Sequence, residues 1–434
     1  MPAFKIFNFH SNLLKAIEIN KFTEPTEIQK AAFPVILANR DLMACAETGS
    51  GKTVAFVLPV LQKLLDLDKA SPERRRGPRV LILSPTRELA TQITEAIGAM
   101  GKFTHLKWGT ITGGVPYFSQ IQMLRRPLDL LVATPGRLMD HMEQGRVQLA
   151  DLEVFILDEA DRMLDMGFVD DMVKIAEKTP ATRQTLLFSA TLEGKVEGIA
   201  KRFLKNPERI QLVSSKSQHG SIHQTIIFAD DYNHKNHLLH NILEGAWQAI
   251  VFIATKRGAD RLAEDLHIKG IPCAPFHGDM KQSKRKQTLE QLHRGRLRVL
   301  IATDVAARGI DIKKLSHVIN FDLPRIAEDY VHRIGRTGRC GESGVAISLV
   351  GPEDRTQLAR IEYYTGQRLE RVVIPGLESR RLESKHQSKT PGRSFNNTNK
   401  KTTYKPKGKK PGFNPKFQRG SFSNAKQSSR QRAT

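Results

Sequence analysis

Two short segments carry residue types that suit one reaction. Asp158-Glu159-Ala160-Asp161 ends the apolar run Val154-Phe155-Ile156-Leu157, and far upstream stands Ala46-Glu47-Thr48-Gly49-Ser50-Gly51-Lys52-Thr53. A glycine-rich turn ending in Lys-Thr can hold a nucleotide's phosphates with backbone N–H groups, an ammonium and a hydroxyl on Mg²⁺. A carboxylate leaving a buried strand can orient that Mg²⁺, and a second one beside it can take a proton from water. Together they read as a site that hydrolyses ATP with Mg²⁺. Lys52 is expected on the β- and γ-phosphates, Thr53 on Mg²⁺, Asp158 on Mg²⁺ through water, and Glu159 as general base.

Each segment has a plainer reading. Ala46 stands where the strict GxxxxGK[ST] pattern has its first Gly, so an ordinary Gly-Ser loop is one alternative. Lys52-Thr53 heading the apolar stretch 54–61, with an acidic strand end elsewhere, outweighs it. A solvated acidic turn is the alternative for Asp158–Asp161, and a carboxylate pair directly after a buried apolar run does not suit it. Arg336 and Arg339, in Tyr330-Val331-His332-Arg333-Ile334-Gly335-Arg336-Thr337-Gly338-Arg339, share one face if the segment is helical. They suit either a basic surface patch or arginine fingers on the γ-phosphate, a contact worth ~10³–10⁵ in rate. Spacing alone leaves both open.

The elements that must position these groups are visible as short apolar runs: 80–83, 130–133, 154–157, 186–188, 250–253, 299–302 and 318–319. Continuous apolarity suits strands covered on both faces, as in a parallel α/β sheet. Polar residues stand directly after several of these runs: Ser84-Pro85-Thr86-Arg87, Thr134-Pro135-Gly136-Arg137, Ser189-Ala190-Thr191 and Thr303-Asp304. Open α/β sheets bind ligands at those carboxyl ends. The pattern falls into two blocks, which predicts domains over 1–212 and 222–377 joined by a polar linker, 213–221. Only the first block has a phosphate loop, so the second is expected to be a related sheet completing a shared site.

The chain has 434 residues and a formal charge of +23, which points to a polyanionic partner. Residues 380–434 hold sixteen Lys and Arg against one acid, Glu383, so +15 lies there and +8 in the body. A tail over 378–434, rich in Lys, Arg, Ser, Asn and Gly, is expected to be disordered when free. Phe395, Tyr404, Phe413, Phe417 and Phe422 interleave with its cations, a composition that favours RNA by stacking and phosphate attraction. Cys45, Cys273 and Cys340 are far apart, with neither disulfide nor metal spacing. No apolar h-region opens the chain, and no run reaches the ~18 residues of a membrane helix. The expectation is a soluble, cytoplasmic monomer without structural metal. Trp108 and Trp247 read as packing residues.

Taken in order, these segments resemble those of DEAD-box RNA helicases, over about residues 4–377. Lys21-Phe22-Thr23-Glu24-Pro25-Thr26-Glu27-Ile28-Gln29 is similar to the family's Q motif, with Phe4 as its upstream aromatic. The resemblance implies two tandem RecA-like parallel-sheet domains, with Gln29 reading adenine and Phe22 stacking on it. An amide can donate to one adenine edge atom while accepting from its amino group. Ala46–Thr53 would hold the phosphates and Asp311 the ribose. Lys21 replaces the usual Gly, and Glu47 stands where Gln is common. The resemblance also assigns RNA contacts to Pro85, Thr86, Arg87, Gly113, Gly114, Thr134, Pro135, Gly136 and Arg137 in the first domain. In the second it assigns Thr255, Lys256, His277, Gly278, Asp279, Gln282, Arg285 and Thr303. Such groups suit sugar and phosphate, so binding would be largely sequence-independent. Arg336 and Arg339 would complete the ATP site, and Asp161 with Ser189 and Thr191 would couple hydrolysis to strand separation. The implied mechanism is ATP-driven closure of both domains on RNA. Thr110–Val115, Gln184–Gly194 and the Ala229-Asp230-Asp231 segment are most similar to the SrmB-type subfamily of large-subunit ribosome assembly. Ribosomal RNA or a pre-ribosomal particle is the implied partner.

Overall fold

Val80, Leu81, Ile82 and Leu83 are all fully buried, yet they pack into different places. Val80 and Ile82 face one helical layer with Phe56 and Ile93, while Leu81 and Leu83 face the other with Leu138 and Met163. That division is the physical meaning of a continuous apolar strand: successive side chains leave opposite faces, and both faces are covered. The computed structural model describes residues 2–46, 49–67, 77–192, 194–212, 222–307, 310, 312, 315–338 and 343–380. The linker over 213–221 and the tail from 381 onward lie outside the described residues.

Seven strands make the first sheet: β1 Leu42–Cys45, β2 Val80–Leu83, β3 Trp108–Ile111, β4 Leu130–Ala133, β5 Val154–Leu157, β6 Gln184–Ser189 and β7 Glu208–Gln211. Their order is β3-β4-β2-β5-β6-β1-β7, and every pairing is parallel. The second sheet contains β8 Ile222–Phe228, β9 Ala249–Phe252, β10 Cys273–Phe276, β11 Val299–Ala302, β12 His317–Asn320, β13 Gly344–Val350 and β14 Glu370–Arg371. Its order, β10-β11-β9-β12-β13-β8-β14, repeats the first with each strand advanced by seven, and it too is parallel. The fold is therefore the tandem RecA-like α/β architecture that the sequence implied.

Helices cover both faces of each sheet. In the second sheet Val251, Ile301 and Ile319 pack with Leu238 and Leu262, while Ile250, Leu300 and Val318 pack with Phe276 and Leu292. Burying one such side chain is worth ~1.5–3 kcal/mol, so truncating Leu81 to Ala costs ~2–5 kcal/mol. Beyond the sheets, Ser379 and the Arg380 N–H bond the Asp230 carboxylate, the latter at 3.0 Å. Among the described residues no helix is long and apolar enough to cross a membrane.

Candidate active site

The phosphate loop leaves β1 and enters the helix Lys52–Leu67. Gly49 and Gly51 adopt φ of +87° and +94°, a region that side chains disfavour. A Cβ on Gly51 would also lie 2.7 Å from Gln29 Nε2. Lys52 is buried, and its Nζ donates to the Ala46 carbonyl at 2.7 Å. Thr53 occupies the first turn, beside the helix N-terminus where backbone N–H groups favour anions. Ser50 lies in the same turn; Glu47 and Thr48 lie outside the described residues.

Gln29 is tied to that loop. Its Oε1 accepts from the Thr26 N–H at 3.1 Å, and its Nε2 donates to the Gly51 carbonyl at 3.2 Å. Phe22 is 37% exposed. Lys21 sits at φ +58°, in the left-handed region glycine adopts freely. That conformation explains the family's preference for glycine there.

The acidic turn leaves the carboxyl end of β5. Asp158 is 2% exposed, and its Oδ1 accepts from the Glu159 N–H at 3.0 Å. Burial pushes its carboxyl up to about 7, against the pull of the Lys52 ammonium and with the push of Glu159. Glu159 is held at φ +50°, and its buried Oε2 has no hydrogen-bond partner among the described residues. A strained backbone and an unsatisfied buried acceptor mark a place where stability is given up for chemistry.

Asp161 points toward β6. Its Oδ2 accepts from the Ala190 N–H at 3.1 Å and its Oδ1 from the Arg162 N–H at 3.0 Å, while Ser189 Oγ accepts from the Thr191 N–H at 3.3 Å. The carboxylate thus meets the Ser189–Thr191 segment through the Ala190 backbone, a contact that side-chain chemistry does not announce.

The helix Ala327–Ile334 stops before Arg336, so Arg336 does not stand on that helix. Arg336 is buried and donates to the Ile310 carbonyl at 2.8 Å. The neighbouring Arg333 is structural, clasping Asp304 with two bonds of 2.6 Å and reaching Asn320 and the Asp322 carbonyl. Arg339 and Asp311 lie outside the described residues.

Four threonines follow strands at equivalent edges: Thr86 after β2, Thr134 after β4, Thr255 after β9 and Thr303 after β11. Thr86 and Thr255 cap helices, accepting from the Leu89 and Gly258 N–H groups at 3.3 and 3.0 Å. Thr134 precedes Pro135, which opens the next helix with Gly136 exposed to open space. Pro85 lies directly before Thr86. Gly114 has φ +72°, and a Cβ there would strike Arg87 at 1.9 Å, with Gly113 next to it. Arg137 donates to the Val115 carbonyl at 2.8 Å and lies 4.0 Å over the Tyr117 ring. In the second lobe Lys256 pairs with Asp279 at 2.5 Å beside Gly278, and His277 Nε2 meets Asp260 at 2.9 Å. This edge offers hydroxyls, helix N-termini and cations, a surface for sugar and phosphate.

Two buried ion pairs join the lobes. Arg162 donates to Asp329 at 2.6 Å, and Arg285 donates to Glu88 at 2.8 Å. Gln282 adds bonds to Glu88 and Arg87 at 3.3 and 3.4 Å. Glu88, Arg162 and Asp329 carry no local signal, because their partners stand 167 and 197 residues away in sequence.

Comparison with known proteins agrees with this geometry. The DEAD/DEAH box helicase model matches residues 26–199, and the helicase conserved C-terminal domain matches residues 234–341. The chain is 44% identical over 384 residues to the ATP-dependent RNA helicase SrmB of Haemophilus influenzae, covering 88% of this chain and 87% of the relative. It is 44% identical to SrmB of Escherichia coli over 381 residues, 87% of this chain and 85% of that one. S. cerevisiae Dbp5 bound to RNA and ADP BeF3 is similar in structure, with TM-score 0.75 and 34% identity over 85% of this chain and 95% of that chain. Mss116 bound to ssRNA and UDP-BeF gives TM-score 0.75 at 27% identity, over 85% of this chain and 79% of that chain. Likeness of this extent, on a fold that sets a phosphate loop after β1 and an acidic turn after β5, two strands of one parallel sheet with β6 between them, places the chain in the DEAD-box family of ATP-dependent RNA helicases.

Proposed function

We propose that this helicase closes its two lobes on an RNA backbone when ATP binds and opens them after hydrolysis. The observation that carries this reading is the placement of the two buried interlobe ion pairs. Arg162–Asp329 begins one residue after the acidic turn, and Glu88–Arg285 begins two residues after Thr86. One pair adjoins the nucleotide site and the other the RNA edge, so a single closure serves both.

Each residue then has a task. Gln29 and Phe22 take the adenine, residues 46–53 cradle the phosphates, and Lys52 leaves the Ala46 carbonyl for the β- and γ-phosphates. Glu159 accepts the proton of the attacking water with its unpartnered oxygen. Asp161 passes the state of the site to Ser189–Thr191 through Ala190. Arg336 and Arg339 approach the γ-phosphate from the second lobe, and Asp311 holds the ribose. Pro85–Arg87, Gly113–Gly114, Thr134–Arg137, Thr255–Lys256, His277–Asp279, Gln282, Arg285 and Thr303 hold the RNA backbone.

The donor set fits Mg²⁺. Asp158 is a buried carboxylate whose charge burial disfavours, and Thr53 offers a hydroxyl at the helix start. These two would hold the ion, which supplies neutralisation of phosphate charge when bound.

We infer ribosomal RNA of large-subunit precursors as the target, from the subfamily resemblance of Thr110–Val115, Gln184–Gly194 and Ala229-Asp230-Asp231, with the basic residues after 378 as a tether and the protein acting as a cytoplasmic monomer. The test is ATP hydrolysis at one salt concentration without nucleic acid, with single-stranded RNA and with matching DNA. Stimulation by RNA alone is expected. Equal stimulation by DNA, or none by either, would overturn the reading.

A further inference from the structure

We propose that the helix Tyr117–Leu124 carries an RNA track that leads from the clamped segment into a cationic groove at the edge of the first sheet. The inference rests on the RNA-binding reading above and extends it to nucleotides outside the lobe–lobe cleft.

Tyr117 and Phe118 lie shortly after Gly113–Gly114 and are 41% and 72% exposed. Tyr117 is fixed in place: its hydroxyl donates to Asp140 at 2.6 Å, and Arg137 covers its ring at 4.0 Å. Phe118 has no ring partner among the described residues and stands in solvent. Gln122 and Arg125 come four and seven positions later on one helical face, and Arg126 follows just beyond the C-cap; all three are exposed. Arg125 still holds right-handed helical backbone at the C-cap, so the stripe is continuous.

That stripe runs into a groove of about 590 Å³, lined by Gln122, Arg125 and Arg126 with Lys107, Trp108 and Leu128 among its walls. No carboxylate of the described residues lines it; the nearby Asp129 side chain accepts from the Lys107 backbone N–H at 2.9 Å. Trp108 is wall and not platform, because a Cβ on Gly98 or Gly101 would already touch its indole at 3.7 and 3.3 Å.

An open ring beside a groove with three cations, Lys107, Arg125 and Arg126, is the pattern that single-stranded nucleic acid uses, with a base on the aromatic and phosphates along the groove. The basic tail would be repelled from such a groove. An acidic peptide adding to the edge strand β3 is the competing occupant. The Thr110 N–H is already directed at Met123 Sδ at 3.3 Å, so the helix covers part of that edge and leaves little for strand addition.

The experiment compares the full chain with Phe118→Ala and with Arg125→Ala/Arg126→Ala, all carrying the tail. Affinity for single-stranded RNAs of about six and about twenty nucleotides is measured with a non-hydrolysable ATP analogue, over a salt series. The parent should bind the longer RNA more tightly, and Phe118→Ala should lose about 5- to 100-fold of that gain while binding the short RNA normally. The double arginine variant should lower the salt slope for the long RNA by about 1. A photo-crosslinking residue at position 118 should label the long RNA and not the short one. Unchanged length dependence in both variants overturns the track, as does RNA-independent capture of a poly-glutamate peptide by the groove with long-RNA binding undisturbed. A parent that binds RNA of neither length overturns the RNA reading itself.

Discussion

Arg162 directly follows the carboxylate turn and donates to Asp329 of the second lobe at 2.6 Å, with both side chains buried. Removing one member of such a pair leaves an uncompensated buried charge, which costs far more than the pair contributes. Arg162→Ala and Asp329→Ala should each lower RNA-stimulated ATP turnover by about 10- to 100-fold, and the double variant should be no worse than either. A double-mutant cycle on kcat checks this. Fully additive losses would mean that the two residues act apart.

Glu159 holds the one buried carboxylate oxygen of the turn without a partner among the described residues. Glu159→Gln keeps its shape and hydrogen bonding while removing its basicity. Turnover should fall by about 10²–10⁴-fold, with nucleotide affinity retained. Titration with a fluorescent ATP analogue beside steady-state hydrolysis separates the two. Loss of binding would reassign Glu159 to a structural role.

Gln29, proposed to read adenine, bridges Thr26 and Gly51. Gln29→Ala should raise KM for ATP by about tenfold, the worth of one to two hydrogen bonds, and leave KM for GTP unchanged. If both constants rise together, Gln29 shapes the loop without reading the base.

Asp158 has its carboxyl pushed up by burial from the ordinary 3.8 to about 7. Between those values the nucleotide-free folded chain keeps a proton that the unfolded chain has released. Stability therefore falls as pH rises through that window and levels off above it. Asp158→Asn removes the effect. Its melting-temperature advantage over the parent should be larger near pH 8 than near pH 5, the gap widening by about 3 °C or more. A difference that does not change with pH would contradict the assigned cause.

The apolar runs 80–83, 130–133 and 154–157 coincide with β2, β4 and β5, because burial on both faces leaves an unbroken apolar stretch in the sequence. The edge strands β3 and β7 leave no such run. In β7, Glu208, Arg209 and Gln211 flank a single buried Ile210, and in β3 alternate positions are only half-buried. The phosphate loop and the acidic turn were legible as motifs because each is one contiguous segment. The lobe–lobe pairs were not, since complementarity between Glu88 and Arg285 exists only once both sheets have folded. Arg336 shows the limit of spacing: the helix ends at Ile334, and Arg336 stands in the turn beyond it.

ATP and RNA together are proposed to close the lobes. Energy transfer between dyes at the exposed positions Lys174 and Lys269, one on each lobe, measures it directly. Low transfer is expected for the free protein, for an ATP analogue alone and for RNA alone, and high transfer only with both. Closure by either ligand alone, or no change with both, would contradict it.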